Sequence, residues 1–161
     1  MGNMSGITVY RNEWRAGEWN FKDVTERWGL ESLPPTYQAS WADFDRDGRM
    51  DLVTAGRLYA NTGAPGTPVA HWLELQMIGD GVRINRQAIG AQARITLPDG
   101  RVLARQVEAG TGEGNSNSPI LHFGLGVFAG PVTIAVTWPE GNAQLVAGVS
   151  ADQLIRIDCP R

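Results

Sequence analysis

The part of this chain whose side chains could most directly do chemistry is a short stretch rich in aspartate. Counted from its first residue, aspartates stand at the first, third, fifth and ninth positions and a glycine at the sixth, namely Asp43, Asp45, Asp47, Asp51 and Gly48. In a tight loop, alternate carboxylates point inward and the glycine permits a sharp turn, which suits the oxygen ligands of a hard cation. The carbonyl of Arg49 can supply a further oxygen. These residues predict a Ca²⁺ site.

An alternative explanation of the same stretch needs no ion. Aspartates around a glycine can form Asx-turns, in which each carboxylate accepts hydrogen bonds from nearby backbone N–H groups. One or two aspartates fit that explanation. Four at this spacing would repel one another unless a cation were bound, so that the ion would order the loop and the loop would hold the ion. We therefore favour calcium.

A second polar segment, residues 110–118, combines three glycines with short polar side chains. Such a loop can approach a polyol or a peptide closely, and a long hairpin connection has the same composition. It is not a phosphate-binding loop, because the Gly-Lys-Ser/Thr ending is absent. The candidate ligand-contact residues are Thr111, Glu113, Asn115, Ser116 and Asn117.

No catalytic residues are predicted. His71 and His122 lie beside aromatic residues in strand-like runs, where a histidine usually fills space with one satisfied hydrogen bond. The sequence contains no GxSxG motif and no paired acid and base away from the acidic stretch. Cys159 is the only cysteine, which excludes an internal disulfide and a cysteine-based zinc cluster.

The elements that must position the acidic stretch are predicted to be strands. Charged residues make up only 19% of the chain, while glycine (20) and proline (9) are plentiful, as in turn-rich β proteins. Period-two alternation with intervening turns predicts two hairpins, 89–97 with 102–108 and 132–138 with 144–149. About seven strands are expected after a Pro/Gly-rich linker at 62–68. The longest helical candidate, residues 23–30, could hold about two turns.

Charge and hydropathy limit the partners. The net charge is −3 and the arginines are scattered singly, so no basic surface for nucleic acid is expected. No apolar run approaches the roughly 18–20 residues that a membrane-spanning helix needs, so membrane insertion is not expected. The first residues lack the pattern of a signal peptide.

The N-terminal half resembles an FG-GAP/VCBS-type calcium-binding repeat. The matching residues are Val9–Asn12, Trp19–Thr25 and Gly29-Leu30, which resemble the tail of one repeat, and Ser40–Val53, which resembles the calcium loop of the next. Leu58–Asn61 repeats the apolar-Tyr-x-Asn pattern of Val9–Asn12. The family usually has several repeats, whereas this chain has one loop and a partial repeat before it.

The C-terminal half is similar to the ASPIC/UnbV domain, which follows such repeats in bacterial surface proteins and in the cartilage acidic protein-like family. Several short motifs appear in order: His71–Leu75, Asn85-Arg86, Ile89–Ala91, Leu121–Gly126, Val136–Pro139 and Gly141. The fold expected from both halves is all-β. A small blade-like unit carrying the calcium loop (residues 1–65) precedes an antiparallel β-sandwich or barrel (residues 69–161).

The two resemblances imply a non-enzymatic calcium-binding module of a secreted or cell-surface type, with a structural Ca²⁺ ion. Its expected ligand is a glycan or a protein. The alternative is an enzyme or accessory protein of a biosynthetic pathway. A lone blade-like sheet has unpaired edges and an uncovered apolar face, so we expect the N-terminal unit to dock onto the sandwich or to pair with another copy as a homo-oligomer.

Overall fold

The chain is built almost entirely from short strands. The computed structural model describes residues 7–13, 17–36, 38–63, 70–112 and 114–160, and within these ranges it contains twelve strands and one 3₁₀ turn, Glu26–Trp28. The N-terminal strands are β1 (Tyr10–Asn12), β2 (Phe21–Asp23), β3 (Ala39–Ala42), β4 (Asp51–Thr54) and β5 (Arg57–Tyr59). The C-terminal strands are β6 (His71–Ile78), β7 (Gln92–Thr96), β8 (Val102–Gln106), β9 (Leu121–Gly126), β10 (Val132–Thr137), β11 (Ala143–Val149) and β12 (Gln153–Asp158).

The C-terminal strands form a sandwich of two sheets, in the orders β11-β10-β7-β8 and β12-β6-β9. Because strand side chains alternate between faces, every second residue points between the sheets and builds one apolar core. Its largest fully buried members are Trp138, Phe123, Leu73, Leu75, Ile84, Ile95, Leu125 and Ile134. The expected all-β fold is confirmed, and of the two expected forms the chain adopts the sandwich.

Both predicted hairpins are confirmed. β7 pairs antiparallel with β8, with Ile95 opposite Leu103, and β10 pairs antiparallel with β11, with Ile134 opposite Val146. About seven strands were expected in this half, and its described residues contain seven. The pairing of β12 with β6 differs from the antiparallel expectation, because it is parallel and places Leu154 beside Glu74. A parallel pair needs a long crossover, and here most of the domain lies between the two strands.

The N-terminal unit contains two small sheets, β1-β2 and β3-β4-β5. Val9, Val24, Leu30 and Leu52 form its small buried cluster. The helix predicted at residues 23–30 is reduced to the single 3₁₀ turn, which ends where Gly29 adopts a left-handed φ of 69°. Most of the predicted linker, 62–68, lies outside the described residues.

The N-terminal unit docks onto the sandwich, as expected. The Ser118 amide donates a hydrogen bond to the carbonyl of Trp41 on β3 (3.0 Å), although the two residues are far apart in the chain. β3 is one edge of its sheet, so this contact covers part of an edge that would otherwise be unpaired.

Candidate metal centre

The acidic loop, residues 43–51, follows β3 and ends at Asp51, which is also the first residue of β4. Two residues give it a compact shape by adopting left-handed backbone conformations, Arg46 with φ 61° and Gly48 with φ 85°. The loop is closed by its own carboxylates. Asp43 accepts hydrogen bonds from the amides of Asp47 (3.1 Å) and Gly48 (2.7 Å).

Three of the predicted ligands come together in this loop. Carboxylate oxygens of Asp43, Asp45 and Asp51 lie within 4.8 Å of one another. Asp51 is only 2% exposed, Asp43 is half-buried and Asp45 faces solvent. Like charges this close repel one another, and the repulsion is strongest where burial removes the screening by water. A cation at this point would convert the repulsion into coordination.

The donor set fits a hard divalent cation. Asp51 accepts hydrogen bonds from the amides of Phe44 (2.9 Å) and Asn61 (2.7 Å), so backbone contacts fix its position. An ionised carboxylate has about four lone-pair sites, so both Asp43 and Asp51 keep acceptor capacity for a metal. The Asx-type hydrogen bonds and the cation site are therefore compatible, and the backbone contacts orient the ligands.

Asp47 and Arg49 take a different arrangement. The Asp47 carboxylate accepts a hydrogen bond from the Arg49 amide (2.9 Å) and forms an ion pair with the Arg49 guanidinium. It is not part of the three-carboxylate group. The Arg49 side chain also donates to the carbonyl of Asn61 (2.5 Å). Ligation by Asp47 and by the Arg49 carbonyl stays a prediction.

The acidic loop rests on the outer face of the sheet β12-β6-β9. The imidazole Nε2 of His122 lies 2.9 Å from the carbonyl of Gly48, and since a carbonyl only accepts, this nitrogen carries the donated proton. A methyl group at Gly48 would lie 2.0 Å from Cδ1 of Trp72, so the backbone touches the indole. The rings of Trp72 and His122 lie nearly parallel, with centroids 6.5 Å apart. His122 thus has a hydrogen bond of the kind expected for a histidine in a strand.

A buried acid lies on the same outer face. Glu74 is two residues after Trp72 on β6 and directly opposite His122 on β9, so its side chain points to the side on which the acidic loop rests. Only 3% of it is exposed. Burial raises the pKa of Glu74 to about 7, with the charge of Asp43 adding to the rise and that of Arg46 opposing it. Glu74 was not among the predicted site residues, because a single acid in the strand HWLELQMI does not by itself indicate a site.

The other histidine, His71, lies at the start of β6 and pairs with an aspartate. His71 Nδ1 lies 2.7 Å from Asp152, whose other carboxylate oxygen accepts a hydrogen bond from the Trp72 amide (3.2 Å). The His71 hydrogen bond, followed by that from the backbone, lowers the pKa of Asp152 against the opposing effect of burial. This pair ties the start of β12 to the start of β6, away from the acidic loop.

The predicted ligand-contact loop is engaged with the N-terminal unit. The Asn117 side-chain oxygen accepts a hydrogen bond from the Trp41 amide (3.0 Å), and the Asn115 side chain donates to the carbonyl of Ala39 (2.5 Å). Thr111 accepts a hydrogen bond from the Asn117 amide (3.1 Å), and Ser116 is exposed. Glu113 lies outside the described residues. Ligand contact by this loop stays a prediction, and its two asparagine side chains already hold β3.

A groove of about 740 Å³ lies on the N-terminal unit. Its lining includes the aromatic residues Trp28, Trp41 and Tyr59 and the cations Arg11 and Arg27. The Tyr59 hydroxyl is buried and has no hydrogen-bond partner in the described part of the chain. The groove thus offers aromatic faces and positive charge to a ligand.

Comparison with known proteins gives one family. The model described as ASPIC and UnbV matches residues 81–161, which include strands β7 to β12. A search of curated proteins returned no match. Among the described residues, none of the helices has the length and apolar character needed to cross a membrane.

Proposed function

This chain belongs to the ASPIC and UnbV family, and on that premise we propose that it is a non-enzymatic calcium-binding β module. A structural Ca²⁺ ion held by Asp43, Asp45 and Asp51 orders the acidic loop, and the ordered loop secures the N-terminal unit against the ASPIC/UnbV domain. The observation that carries this proposal is the gathering of three carboxylates within 4.8 Å at the spacing that a calcium loop requires.

The N-terminal unit is, in this proposal, of the FG-GAP/VCBS calcium-binding type. Support comes from the position of the loop between two antiparallel strands, with Asp51 both the last acidic residue of the loop and the first residue of β4. Asp47 and the Arg49 carbonyl would join the coordination on ion binding. The unit has only a small core, so an ion that binds the folded form would add a large share of its stability.

Calorimetric titration of metal-stripped protein with CaCl₂ tests the ion. The proposal expects one site per chain, with a dissociation constant no weaker than the roughly 10⁻⁴–10⁻³ M of extracellular calcium modules. Asp45→Asn should weaken binding strongly, because it removes one of three gathered charges. Asp99→Asn is the matched control, because Asp99 lies in the turn between β7 and β8 and pairs with Arg101. Absence of heat at millimolar calcium would overturn the proposal.

We further propose that the parent protein acts outside the cell or at its surface and that the module binds a glycan or a protein. The groove supports a glycan, because aromatic faces such as that of Trp28 stack on sugar rings and arginines attract acidic sugars. A glycan array probed in calcium tests this, with Trp28→Ala as the variant expected to lose binding and Trp19→Ala as its control. Trp19 is 70% exposed and does not line the groove. An array without signal would contradict the glycan ligand, and the proposal would then be restricted to a protein ligand.

A further inference from the structure

Glu74 is a buried acid on strand β6. It is more than nine-tenths buried, and the charged groups that act on its carboxylate are Asp43 and Arg46. His122, opposite it on β9, is committed to the Gly48 carbonyl. Burying an acid without a partner is costly, and such groups are normally neutralised, hydrogen-bonded or coordinated to a metal.

The direction of this side chain is set by the strand. On β6, Leu73 and Leu75 point into the sandwich core, so Trp72 and Glu74 point outward to the same side. The Trp72 indole is in contact with Gly48 of the acidic loop. Glu74 therefore lies beneath the same loop, within electrostatic reach of the Asp43 carboxylate and the Arg46 guanidinium.

The three gathered aspartates alone leave the coordination of calcium incomplete. Ca²⁺ takes six to eight oxygens, and the three gathered aspartates supply only part of that number. Further oxygens must come from the loop backbone, from water or from the surface beneath. On that underlying sheet, Glu74 is the outward-facing acid nearest to the loop contacts of Trp72 and His122.

We propose that Glu74 supplies a further oxygen, directly or through one water, to the cation held by Asp43, Asp45 and Asp51. This inference rests on the proposed calcium site. The ion then joins the two parts of the chain, because its ligands come from the acidic loop on one side and from β6 of the sandwich on the other. Calcium binding is then thermodynamically coupled to docking of the loop onto the sheet.

The test compares three proteins as full-length chains stripped of metal: the wild type, Glu74→Gln and the control Glu108→Gln. Glu108 is exposed and belongs to the same domain, so its substitution makes the same chemical change away from the loop. Titration with CaCl₂ should show binding weakened about 10–100-fold in Glu74→Gln, the range typical for loss of a residue that supports a metal site. Glu108→Gln should bind as the wild type does.

Two further readouts separate ligation from a purely structural role. The luminescence lifetime of bound Tb³⁺ in H₂O and D₂O counts metal-bound waters, and loss of a directly ligating Glu74 oxygen should raise the count by about one, within the six to eight ligands such an ion takes. Without metal, at alkaline pH where Glu74 is ionised, Glu74→Gln should melt at the same temperature as the wild type or higher, because it removes a buried charge. With calcium the order should reverse.

The outcomes are distinguishable. Wild-type calcium affinity in Glu74→Gln, with binding still lost in Asp45→Asn, would overturn the role of Glu74 and leave the loop site in place. Absence of binding in the wild type would overturn the site itself and this inference with it. A Glu74→Gln protein that is destabilised equally with and without calcium would show that Glu74 only fills space, which also overturns the inference.

Discussion

His122 on β9 donates a hydrogen bond from Nε2 to the carbonyl of Gly48 at 2.9 Å, and this bond joins the ASPIC/UnbV domain to the acidic loop. The two residues are 74 positions apart in the chain. The hydrogen bond places Gly48, one of the two left-handed residues of the loop, on the sheet that carries Glu74. The loop is therefore held by a hydrogen bond from the sheet on which it rests as well as by hydrogen bonds to its own aspartates.

Removal of this hydrogen bond should destabilise the chain. His122→Phe keeps an aromatic ring beside Trp72 but leaves the Gly48 carbonyl without its donor, for an expected loss of about 1–3 kcal/mol in the free energy of unfolding. Urea denaturation measures this loss. His71→Phe is the comparison, because it breaks a half-exposed pair with Asp152 and should cost about 1 kcal/mol or less. Equal losses in both variants would contradict the claim that the His122–Gly48 hydrogen bond contributes more stability than the His71–Asp152 pair.

Gly48 should tolerate no side chain. Gly48→Ala forces alanine into a left-handed conformation, at about 1–2 kcal/mol, and drives its methyl group into the Trp72 indole, at about 1–3 kcal/mol more. Gly56→Ala is the control, because Gly56 has a similar φ of 72° and open space around it. Chemical denaturation should therefore show a larger loss for Gly48→Ala than for Gly56→Ala. Equal losses would mean that the loop does not press on Trp72.

The stability of the metal-free protein should fall as the pH rises from 5 to 8. The pKa of Glu74 is about 7 in the folded protein against 4.5 for a free glutamate, so the folded state retains a proton that the unfolded chain has released. The stability that this proton provides is present below pH 4.5 and is lost as the pH rises through 7. At about 1.4 kcal/mol per pKa unit, the loss is on the order of 3 kcal/mol.

Urea denaturation of metal-stripped protein at several pH values measures this slope. Glu74→Gln should flatten it, and Glu108→Gln should retain it. The charged groups that act on Glu74, Asp43 and Arg46, are present in both variants, and so is His122, which lies opposite Glu74 on β9. A slope unchanged in Glu74→Gln would assign the pH dependence to other groups.

The loop at 110–118 should prove to be a structural clamp on β3. Asn117→Ala removes the acceptor of the Trp41 amide, so hydrogen exchange of that amide should accelerate. Ser116→Ala, an exposed change in the same loop, should leave it slow. Exchange at the wild-type rate in Asn117→Ala would show that β3 is held without this side chain.

Local sequence patterns were sufficient for the parts of the fold that depend on neighbouring residues. Alternation on either side of a tight turn predicts the β7-β8 and β10-β11 hairpins, because both register and exposure follow from adjacent strands. Aspartate spacing likewise predicts the gathering of Asp43, Asp45 and Asp51. The same spacing did not show that Asp47 turns toward Arg49, since that depends on a competing ion pair.

Contacts between distant segments were not predictable in the same way. Nothing in the last strand indicates that β12 lies parallel to β6, because a period-two pattern does not identify the partner strand. Glu74 occupies an outward position that an uncovered sheet would expose to water. Its burial depends on tertiary packing against this face of the sheet, where the acidic loop brings Asp43 and Arg46 within electrostatic reach.

Thermal unfolding of the full chain with calcium and with chelator tests the central claim most directly. At a calcium concentration 100 times the dissociation constant, binding adds about 2.7 kcal/mol. For a chain of this size that raises the Tm by roughly 5 to 10 °C. We predict this rise for the wild type and its absence in Asp45→Asn. Superimposable wild-type melting curves with calcium and with chelator would contradict the claim that an ion orders the acidic loop.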